Sequence, residues 1–313
     1  KWFDASVQAS PNGKKIAVVG GGPAGMSCAS ELASLGFEVT LFEQSSELGG
    51  QFNVAKLIPG KSEFHATIRY FSNRLSNLGV DVRLNTKADA ELIKAEGYSN
   101  VVLASGVLPR VWEIPGSDRP EVVNYLDVLR GKVSVGEKVA IVGAGGIGFD
   151  VADFLTHDSD SEGFHKSWGI DETLSERGGL ISSARTKSKR SVHLLQRSPG
   201  KPGAKLGKTT GWIHRMTLRE RGVNMWGGIK YSKLDNAGLH LTHLDKGDVT
   251  LKVDTVVVCA GQTPFAPLLE ELKSSGLNVS LIGGAANCRG LDAQRAIREG
   301  LKLATELAAK VST

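Results

Sequence analysis

The sequence predicts an α/β protein in which a unit of alternating strands and helices occurs twice. Short apolar runs that end in glycine recur at 15–20 and 138–143, which is typical of buried parallel strands. Each is followed by a glycine-rich turn and by a helical pattern, at 24–36 and 146–155. A strand, a glycine-rich turn and a helix in this order are the start of a Rossmann-like domain, so we predict two such domains.

The other elements give the domain order. We predict further strands at 38–43, 80–85, 100–106, 192–196, 254–261 and 279–284, and helices at 62–78 and 291–309. The segment 109–116, with two Pro and a Gly, is typical of a crossing between domains. We therefore predict a discontinuous first domain, 1–112 and 255–313, with the second domain, 113–254, inserted in it. The polar stretch 156–190 is long for a βα connection, which favours an insertion or a partly mobile segment.

Composition excludes several classes of protein. The 38 Lys and Arg against 33 Asp and Glu give 313 residues a net charge of only +5, without a nucleic-acid reader motif. No window has the apolar length of a membrane span, and the first residues lack the apolar core of a secretion signal. Because the sequence does not begin with Met, we expect a piece of a longer chain. Cys28, Cys259 and Cys288 are too scattered for a metal site or a dithiol, which favours a reducing, cytoplasmic setting.

The first glycine motif predicts a bound dinucleotide. Gly20 would make the tight turn, Gly22 would let the backbone approach a pyrophosphate, and Gly25 would let the helix pack on the strand. Glu43 ends the next strand, where it would accept hydrogen bonds from an adenosine ribose. Gly49-Gly50 follows, as flavoproteins commonly have where the backbone passes close to FAD. We therefore predict FAD here; the alternative is a merely tight turn.

The second glycine motif predicts a different nucleotide. Gly143, Gly145 and Gly148 repeat the pattern, but the following strand ends in Gln196 and Arg197 rather than in an acid. Without a carboxylate a 2′-phosphate is not repelled, and a guanidinium suits phosphate. This predicts NADP(H) over NAD(H); the alternative is that Arg197 is only a surface arginine.

Two further segments are candidates for cofactor contact. The stretch 196–215 is rich in Lys, Arg and Gly and has no acid; we expect most of its lysines, at 201, 205 and 208, to be solvated. Gly283-Gly284 joins a strand to a helix that starts near Leu291-Asp292-Ala293. The positive end of this helix would face the flavin and stabilise charge on the reduced ring.

The expected reaction requires no catalytic side chain. Hydride transfer from nicotinamide to flavin requires only that the two rings stack and that water is excluded. We therefore predict no catalytic residue and interpret His193, His214 and His240 as structural or surface residues. Since the chain shows no dithiol and no metal site, the electron acceptor is expected elsewhere.

Six strings carry a resemblance to a known family. They are "LGGQFNVAKLIPGK", "NYLDVLRGK", "GAGGIGFDVADFL", Trp168-Gly169-Ile170-Asp171, "LGKTTGWIHR" and "GLDAQRAIREG". Together, from about residue 14 to 308, the chain resembles the C-terminal portion of the bacterial NADPH-dependent 2,4-dienoyl-CoA reductases, which are related to old yellow enzyme and trimethylamine dehydrogenase. The resemblance implies a glutathione-reductase-like pair of domains.

The resemblance also implies an electron path. Family members carry an N-terminal barrel with FMN and a four-iron cluster, so this chain would be the module that passes electrons from NADPH to FAD. From there they would reach the cluster, the FMN and an unsaturated fatty acyl-CoA, in fatty acid β-oxidation. The barrel and the cluster cysteines are absent from this sequence.

The resemblance adds residues to the candidate sites. It implies FAD contacts at Ala24, Glu43, Gln51 and Lys61, with Ala88 in a less similar stretch. Two-dinucleotide flavoproteins often have Asp where Gly284 stands. The reductase family often has a basic residue where Ser198 stands, so binding of a 2′-phosphate would depend more on Arg197. The FAD candidates are Gly20, Gly22, Pro23, Ala24, Gly25, Glu43, Gln44, Gly50, Gln51, Lys61, Ala88, Ser105, Gly106, Gly283, Gly284, Leu291, Asp292 and Ala293. The NADP(H) candidates are Gly143, Gly145, Gly146, Ile147, Gln196, Arg197, Ser198, Arg221, Ala260 and Gly261.

Two other functions are compatible with the sequence. The chain could hold ADP or FAD structurally without hydride transfer, as in the related amine dehydrogenases. It could also be a stand-alone NADPH-dependent reductase of a protein acceptor, with the basic stretch 196–215 as docking surface. The intact second motif and the Gln196-Arg197 pair favour hydride transfer over the first of these.

Overall fold

The computed structural model describes residues 14–157, 164–183, 187–204 and 206–311, and their contacts form two compact units. The first unit comprises the described residues up to Leu57, Lys61–Leu108 and the residues from Gln262 onward. The second comprises Ile58–Gly60 and Pro109–Gly261. The predicted insertion of one Rossmann-like domain into another is therefore confirmed.

The first unit begins with alternating strands and helices. Its elements before the insertion are β1 (Lys15–Val19), α1 (Pro23–Ser34), β2 (Glu38–Phe42), α2 (Phe52–Ala55), α3 (Phe64–Asn77), β3 (Asp81–Arg83), α4 (Ala90–Ala95), β4 (Asn100–Leu103) and β5 (Val107–Pro109). Strands β1 and β2 are almost wholly buried, as their apolar sequences predict.

The second unit contains a parallel and an antiparallel sheet. Its elements are β6 (Val122–Asn124), α5 (Tyr125–Leu129), β7 (Lys138–Val142), α6 (Gly146–Thr156), α7 (Phe164–Ser167), β8 (Ser191–Leu195), α8 (Gly211–Glu220), β9 (Asn224–Trp226), β10 (Ile229–Asp235), β11 (Gly238–His243), β12 (Gly247–Leu251) and β13 (Thr255–Val258). The parallel sheet has the order β6-β13-β7-β8-β9, and β10-β11-β12 form the antiparallel one. Because β13 pairs with both β6 and β7, residues 255–261 belong to this unit, which corrects the predicted return to the first domain at 255.

The chain then completes the first unit with β14 (Gln262–Pro264), α9 (Leu269–Ser274), β15 (Asn278–Leu281) and α10 (Ala293–Val311). The sheet order β15-β4-β1-β2-β3 is all parallel, and apolar side chains of α1, α3 and α10 cover one face of it. Gly300 lets α10 approach α1, since a Cβ there would lie 2.5 Å from the carbonyl oxygen of Ala24. Within the described part of the chain, no helix has the length and apolarity needed to cross a membrane.

The polar stretch 156–190 is only partly described, since residues 158–163 and 184–186 lie outside the described ranges. The remainder contains α7, one 3-10 turn (Arg177–Gly179) and an antiparallel bridge between Ile170 and Leu180. The side chain of Asp171 accepts hydrogen bonds from the backbone N–H groups of Thr173 and Glu176, which fixes the loop between them.

Candidate functional site

The first glycine motif forms the turn between β1 and α1. Gly20 has a φ of +112°, and a Cβ on it would lie 2.5 Å from the carbonyl oxygen of Ala104. A Cβ on Gly25 would lie 1.8 Å from the carbonyl oxygen of Gly20, so both positions require glycine. Gly22 is the N-cap of α1 and Pro23 its first residue, which leaves the first N–H groups of the helix without intrahelical partners.

Gly49 and Gly50 lie directly against this turn. The N–H of Gly49 donates to the carbonyl of Gly21 at 2.8 Å. A Cβ on Gly50 would lie 2.9 Å from the Cα of Gly22, so a side chain here would intrude on the first motif. The two segments therefore approach closely, and together they form a surface of bare backbone.

The carboxylate of Glu43 is anchored to the same turn. Its side chain is buried, with 7% of the residue exposed. Oε2 accepts the N–H of Gly21 at 2.7 Å, and Oε1 accepts the N–H of Ser45 at 2.7 Å. Each oxygen retains a second lone pair. The predicted ribose acceptor is thus held beside the glycine motif by two backbone donors.

The third glycine segment meets the start of α1. A Cβ on Gly283 would lie 2.8 Å from the Cβ of Ala24, and one on Gly284 would lie 3.0 Å from the carbonyl carbon of Gly106. Four of the FAD candidates therefore lie together. Leu291 and Asp292 precede α10, which begins at Ala293, and the Asp292 carboxylate accepts the N–H of Arg295 at 2.7 Å.

The other FAD candidates lie around this surface in different ways. Gln44 is exposed beside Glu43, and Gln51 follows Gly50 at the start of α2. The hydroxyl of Ser105 donates to the carbonyl of Phe265 at 2.6 Å. Ala88 is buried in an apolar cluster below the sheet, and Lys61 is half-buried between α2 and α3.

The second glycine motif reproduces the first between β7 and α6. Gly143 has a φ of +110°, and a Cβ on it would lie 2.5 Å from the carbonyl oxygen of Cys259. A Cβ on Gly148 would lie 1.8 Å from the carbonyl oxygen of Gly143. Gly145 is the N-cap of α6, whose first residues are Gly146 and Ile147. The helix start is therefore exposed in the manner that dinucleotide motifs require.

The strand end beside the second motif has cationic rather than acidic character. Gln196 turns its side-chain amide to the carbonyl of Ser198, at 3.0 Å. Arg197 and Ser198 are exposed, and Arg197 makes no hydrogen bond or ion pair with any residue that the structure describes. Burial raises the pKa of the nearby Tyr231 phenol above its usual range, while the Arg197 charge acts in the opposite direction. The hydroxyl of Tyr231 has no hydrogen-bond partner in the described chain.

The structure does not bring Arg221 to this strand end. Arg221 pairs with Asp153 in the third turn of α6 and also contacts His157. Arg221 lies just before the first residue of β9, whereas Arg197 follows the last residue of β8. Because the two strands are parallel, these residues lie at opposite ends of the strands, that is, at opposite edges of the sheet. Ala260 and Gly261 follow β13 at the correct edge, and the carbonyl of Gly261 accepts the N–H of Arg110.

The basic stretch after the strand is mainly exposed. Lys201 and Lys208 are exposed, whereas Lys205 lies outside the described residues. The stretch ends in α8, a helix that its polar sequence does not predict. A cation–aromatic contact at the end of β9 is likewise not predicted: the Nζ of Lys246 lies 4.4 Å from the ring centre of Trp226. No sequence signal links these two residues, because tertiary structure alone brings them together.

These observations fit the cofactors that the motifs predict. In the first unit, three glycine segments form a surface on which a Cβ would block close approach, next to a helix start and a fixed carboxylate. In the second, the same backbone is followed by an exposed guanidinium. The donors, the acceptor and the absence of side chains suit an extended dinucleotide in each unit.

Comparisons with known proteins agree with this class. The model of the pyridine nucleotide-disulphide oxidoreductase family matches residues 14–286. Bilirubin reductase of Mediterraneibacter gnavus is 30% identical over 305 residues, which are 97% of this chain and 42% of that protein. Cinnamate reductase of Clostridium sporogenes is 39% identical over 142 residues, 45% of this chain and 21% of that protein. A structure of 2-naphthoyl-CoA reductase with 2-naphthoyl-CoA has a TM-score of 0.79 at 27% identity, covering 95% of this chain and 40% of that one.

Two Rossmann-like units with matched glycine motifs define a two-domain dinucleotide-binding oxidoreductase fold. The chain belongs to the pyridine nucleotide-disulphide oxidoreductase family. This membership supports FAD and NAD(P)H as its cofactors. The chain spans less than half the length of the curated relatives that it matches over most of its own length.

Proposed function

We propose that this chain transfers hydride from NADPH to bound FAD as the reductase portion of a larger flavoprotein of the 2,4-dienoyl-CoA reductase type. The observation that carries the proposal is the contrast between the two strand ends. Motifs of one geometry are followed by a buried carboxylate, Glu43, in the first unit and by an exposed Arg197 in the second. A carboxylate suits a free ribose, and a guanidinium suits a ribose that carries phosphate.

The first unit would hold FAD through its backbone. The N–H groups at the start of α1 would receive the pyrophosphate, and Glu43 would accept hydrogen bonds from the adenosine ribose. Gly283, Gly284 and the start of α10 would lie beside the ring system, where the partial positive charge of the helix stabilises negative charge. The bound flavin supplies a ring that accepts hydride.

The second unit would hold NADPH in a similar way. The N–H groups at the start of α6 would receive the pyrophosphate, while Arg197, aided by Gln196 and Ser198, would receive the 2′-phosphate. Arg221 is not part of this proposal, because its guanidinium is engaged by Asp153 at the other edge of the sheet.

The final acceptor is proposed from the relatives. Two of them are named for the reduction of cinnamate and of 2-naphthoyl-CoA, which supports an unsaturated acid or its thioester as the final substrate. The relatives' additional length supports an electron-accepting domain outside this chain, for which an iron-sulfur cluster and FMN are our proposal. The three cysteines are unpaired, which suits a reducing, cytoplasmic compartment.

Anaerobic titration of the FAD-loaded chain tests the hydride transfer. We expect NADPH to bleach the flavin absorbance at a lower concentration than NADH. A bound flavin that neither nucleotide bleaches would mean a structural nucleotide-binding module instead. To test the acceptor, dienoyl-CoA is added to the reduced chain; we expect no oxidation, whereas an artificial dye should restore the yellow colour. A natural protein acceptor that is reduced at high rate by this chain alone would favour the stand-alone reductase.

A further inference from the structure

A charge pair on α10 holds the third glycine segment. The carboxylate of Glu299 accepts the backbone N–H of Gly283 at 2.7 Å through Oε2. Its other oxygen, Oε1, accepts the Nε–H of Arg295 at 2.6 Å. One side chain thus joins the turn after β15 to a cation one helical turn away.

Arg295 extends this network to the segment that precedes the helix. Its guanidinium donates to the carbonyl of Asn287 at 3.2 Å and to the carbonyl of Arg289. Its own backbone N–H donates to Asp292, the residue before α10. The pair therefore fixes both the Gly283 turn and the path of the chain into α10.

A second ion pair on the same helix is much more exposed than the Arg295–Glu299 pair. Lys302 and Glu306 have the same i,i+4 spacing, with Nζ and Oε1 3.6 Å apart. Their side chains are 74% and 51% exposed, whereas those of Arg295 and Glu299 are 26% and 30% exposed. An exposed pair is screened by water, but charges in a half-buried pair act on their surroundings more strongly.

The charge pair lies close to the proposed flavin site. Gly283, which Glu299 holds, lies against Ala24 in the first turn of α1. Helix α10 begins at Ala293, about two turns before Glu299, and its partial positive end favours negative charge on this side of the site. The negative charge of the Glu299 carboxylate acts against this stabilisation, and the positive charge of the Arg295 guanidinium offsets that of Glu299.

We propose that Arg295 and Glu299 are positioning residues that set the reduction potential of the flavin. Glu299 orients the Gly283 turn, and Arg295 offsets the Glu299 charge, so that the positive end of α10 can stabilise the negative charge of the reduced ring. This inference depends on the proposed function, because it requires FAD at the three glycine segments.

Opposite charge removals give the test. In the full chain loaded with FAD, Arg295→Met leaves Glu299 uncompensated, so we expect the reduced flavin to be disfavoured about tenfold, a fall of about 30 mV for a two-electron couple. Glu299→Gln keeps an oxygen for the Gly283 N–H but leaves Arg295 charged, so we expect the potential to rise. The double variant should return near the wild-type value. The Lys302→Met and Glu306→Gln variants are the matched controls and should leave the potential unchanged.

Dye-equilibration potentials, measured beside the FAD dissociation constant, separate the outcomes. A purely structural role would weaken FAD binding in all three variants and shift their potentials in one direction or not at all, which would overturn the inference. Control shifts as large as those of the test variants would also overturn it. If Arg295→Met does not fold, Glu299→Gln and the double variant still decide. A wild-type chain that binds no FAD would refute the proposed function itself, whereas normal FAD binding with unchanged potentials refutes only the inference.

Discussion

The two glycine motifs share a backbone scaffold although their ligand-facing residues differ. Three backbone hydrogen bonds of the first unit have counterparts in the second. The N–H of Gly20 donates to the carbonyl of Phe42 (2.8 Å), as that of Gly143 does to Leu195 (2.9 Å). The N–H of Glu43 donates to Arg83 (3.0 Å) and that of Asn85 to Ser45 (2.9 Å), as Gln196 does to Trp226 (2.8 Å) and Gly228 to Ser198 (2.9 Å). The scaffold is therefore the same although the strand end carries Glu43 in one unit and Gln196 in the other.

The two turns differ at the residue after the first glycine, where the second unit has a side chain and the first does not. A Cβ on Gly21 would lie 3.0 Å from Oε2 of Glu43 and 2.6 Å from a methyl group of Leu48. The equivalent residue in the second unit is Ala144, and there the Gln196 amide turns toward Ser198 instead of toward the turn. The residue at the end of the second strand, Glu43 or Gln196, thus helps to decide whether the turn tolerates a side chain, which the glycine spacing alone does not reveal.

The largest effect is expected from the glycine that both motifs require. Gly25→Ala and Gly148→Ala each place a Cβ 1.8 Å from a carbonyl oxygen, so we expect the free energy of unfolding to fall by about 3 kcal/mol or more. Gly146→Ala is the control, because its Cβ would meet nothing within 4 Å. Urea unfolding measures all three variants. Equal costs for Gly146→Ala and Gly148→Ala would contradict the shared geometry.

The next effect distinguishes the two strand ends. Arg197→Leu removes a guanidinium that would bind the 2′-phosphate, so we expect NADPH to bind about 10- to 100-fold more weakly, as for charge-assisted hydrogen bonds worth about 1.5–3 kcal/mol. NADH binding should hardly change. Lys201→Met, at an exposed lysine in the same stretch, is the control. Isothermal titration with both nucleotides checks this, and equal losses for NADPH and NADH would rule out a 2′-phosphate contact.

A smaller effect tests the position between the first two glycines of each motif, which is Gly21 in the first unit and Ala144 in the second. Gly21→Ala must displace Leu48 or Glu43, so we expect a loss of about 1–2 kcal/mol in the first unit and weaker FAD binding. Ala144→Gly, the reverse change in the second unit, should cost at most about 1 kcal/mol, from backbone entropy. Thermal unfolding with and without FAD measures both. If Gly21→Ala is as mild as its counterpart, Glu43 does not restrict the turn.

Local patterns predicted most of the parallel strands, because buried strands and glycine turns are encoded by neighbouring residues, but they missed the three-residue strands β6 and β9. The domain boundaries were predicted at 112 and 255, whereas the structure has them after Leu108 and after Gly261. The antiparallel sheet was missed for a physical reason. In β10 the pairing register shifts between Tyr231 and Lys233, which breaks the two-residue alternation that identifies a half-buried strand. Helix α8 was missed because its polar, basic sequence was interpreted as a ligand-binding loop.

The candidate sites show the same limit. Glycine spacing located the two turns, and a strand end located Glu43 and Arg197. The bond between Glu299 and Gly283 joins residues 16 apart with no shared motif, so only the fold reveals it. Arg221 was inferred from resemblance, and the structure pairs it with Asp153 instead, because α8 carries the chain back to the far edge of the sheet before β9 begins.

The smallest effect concerns a strand position that differs between the units. His193 in β8 pairs with Ala140 in β7, as Thr40 in β2 pairs with Ala17 in β1. Burial lowers the pKa of His193, whose Nδ1 has no hydrogen-bond partner among the residues described. Because its folded pKa is below the unfolded value of about 6.5, stability that is complete above that pH should be lost as the pH falls below it.

Exchange of these two residues tests the histidine. We expect His193→Thr to remove part of the loss of unfolding free energy between pH 7 and pH 5, measured by urea unfolding, because the variant has no imidazole to protonate. Thr40→His should introduce an additional loss in the first unit, since a buried imidazole there must also remain neutral in the folded chain. A His193→Thr chain with the wild-type pH dependence would mean that water reaches the His193 ring and solvates its charged form. The two sheets would then differ in solvent access as well as in sequence.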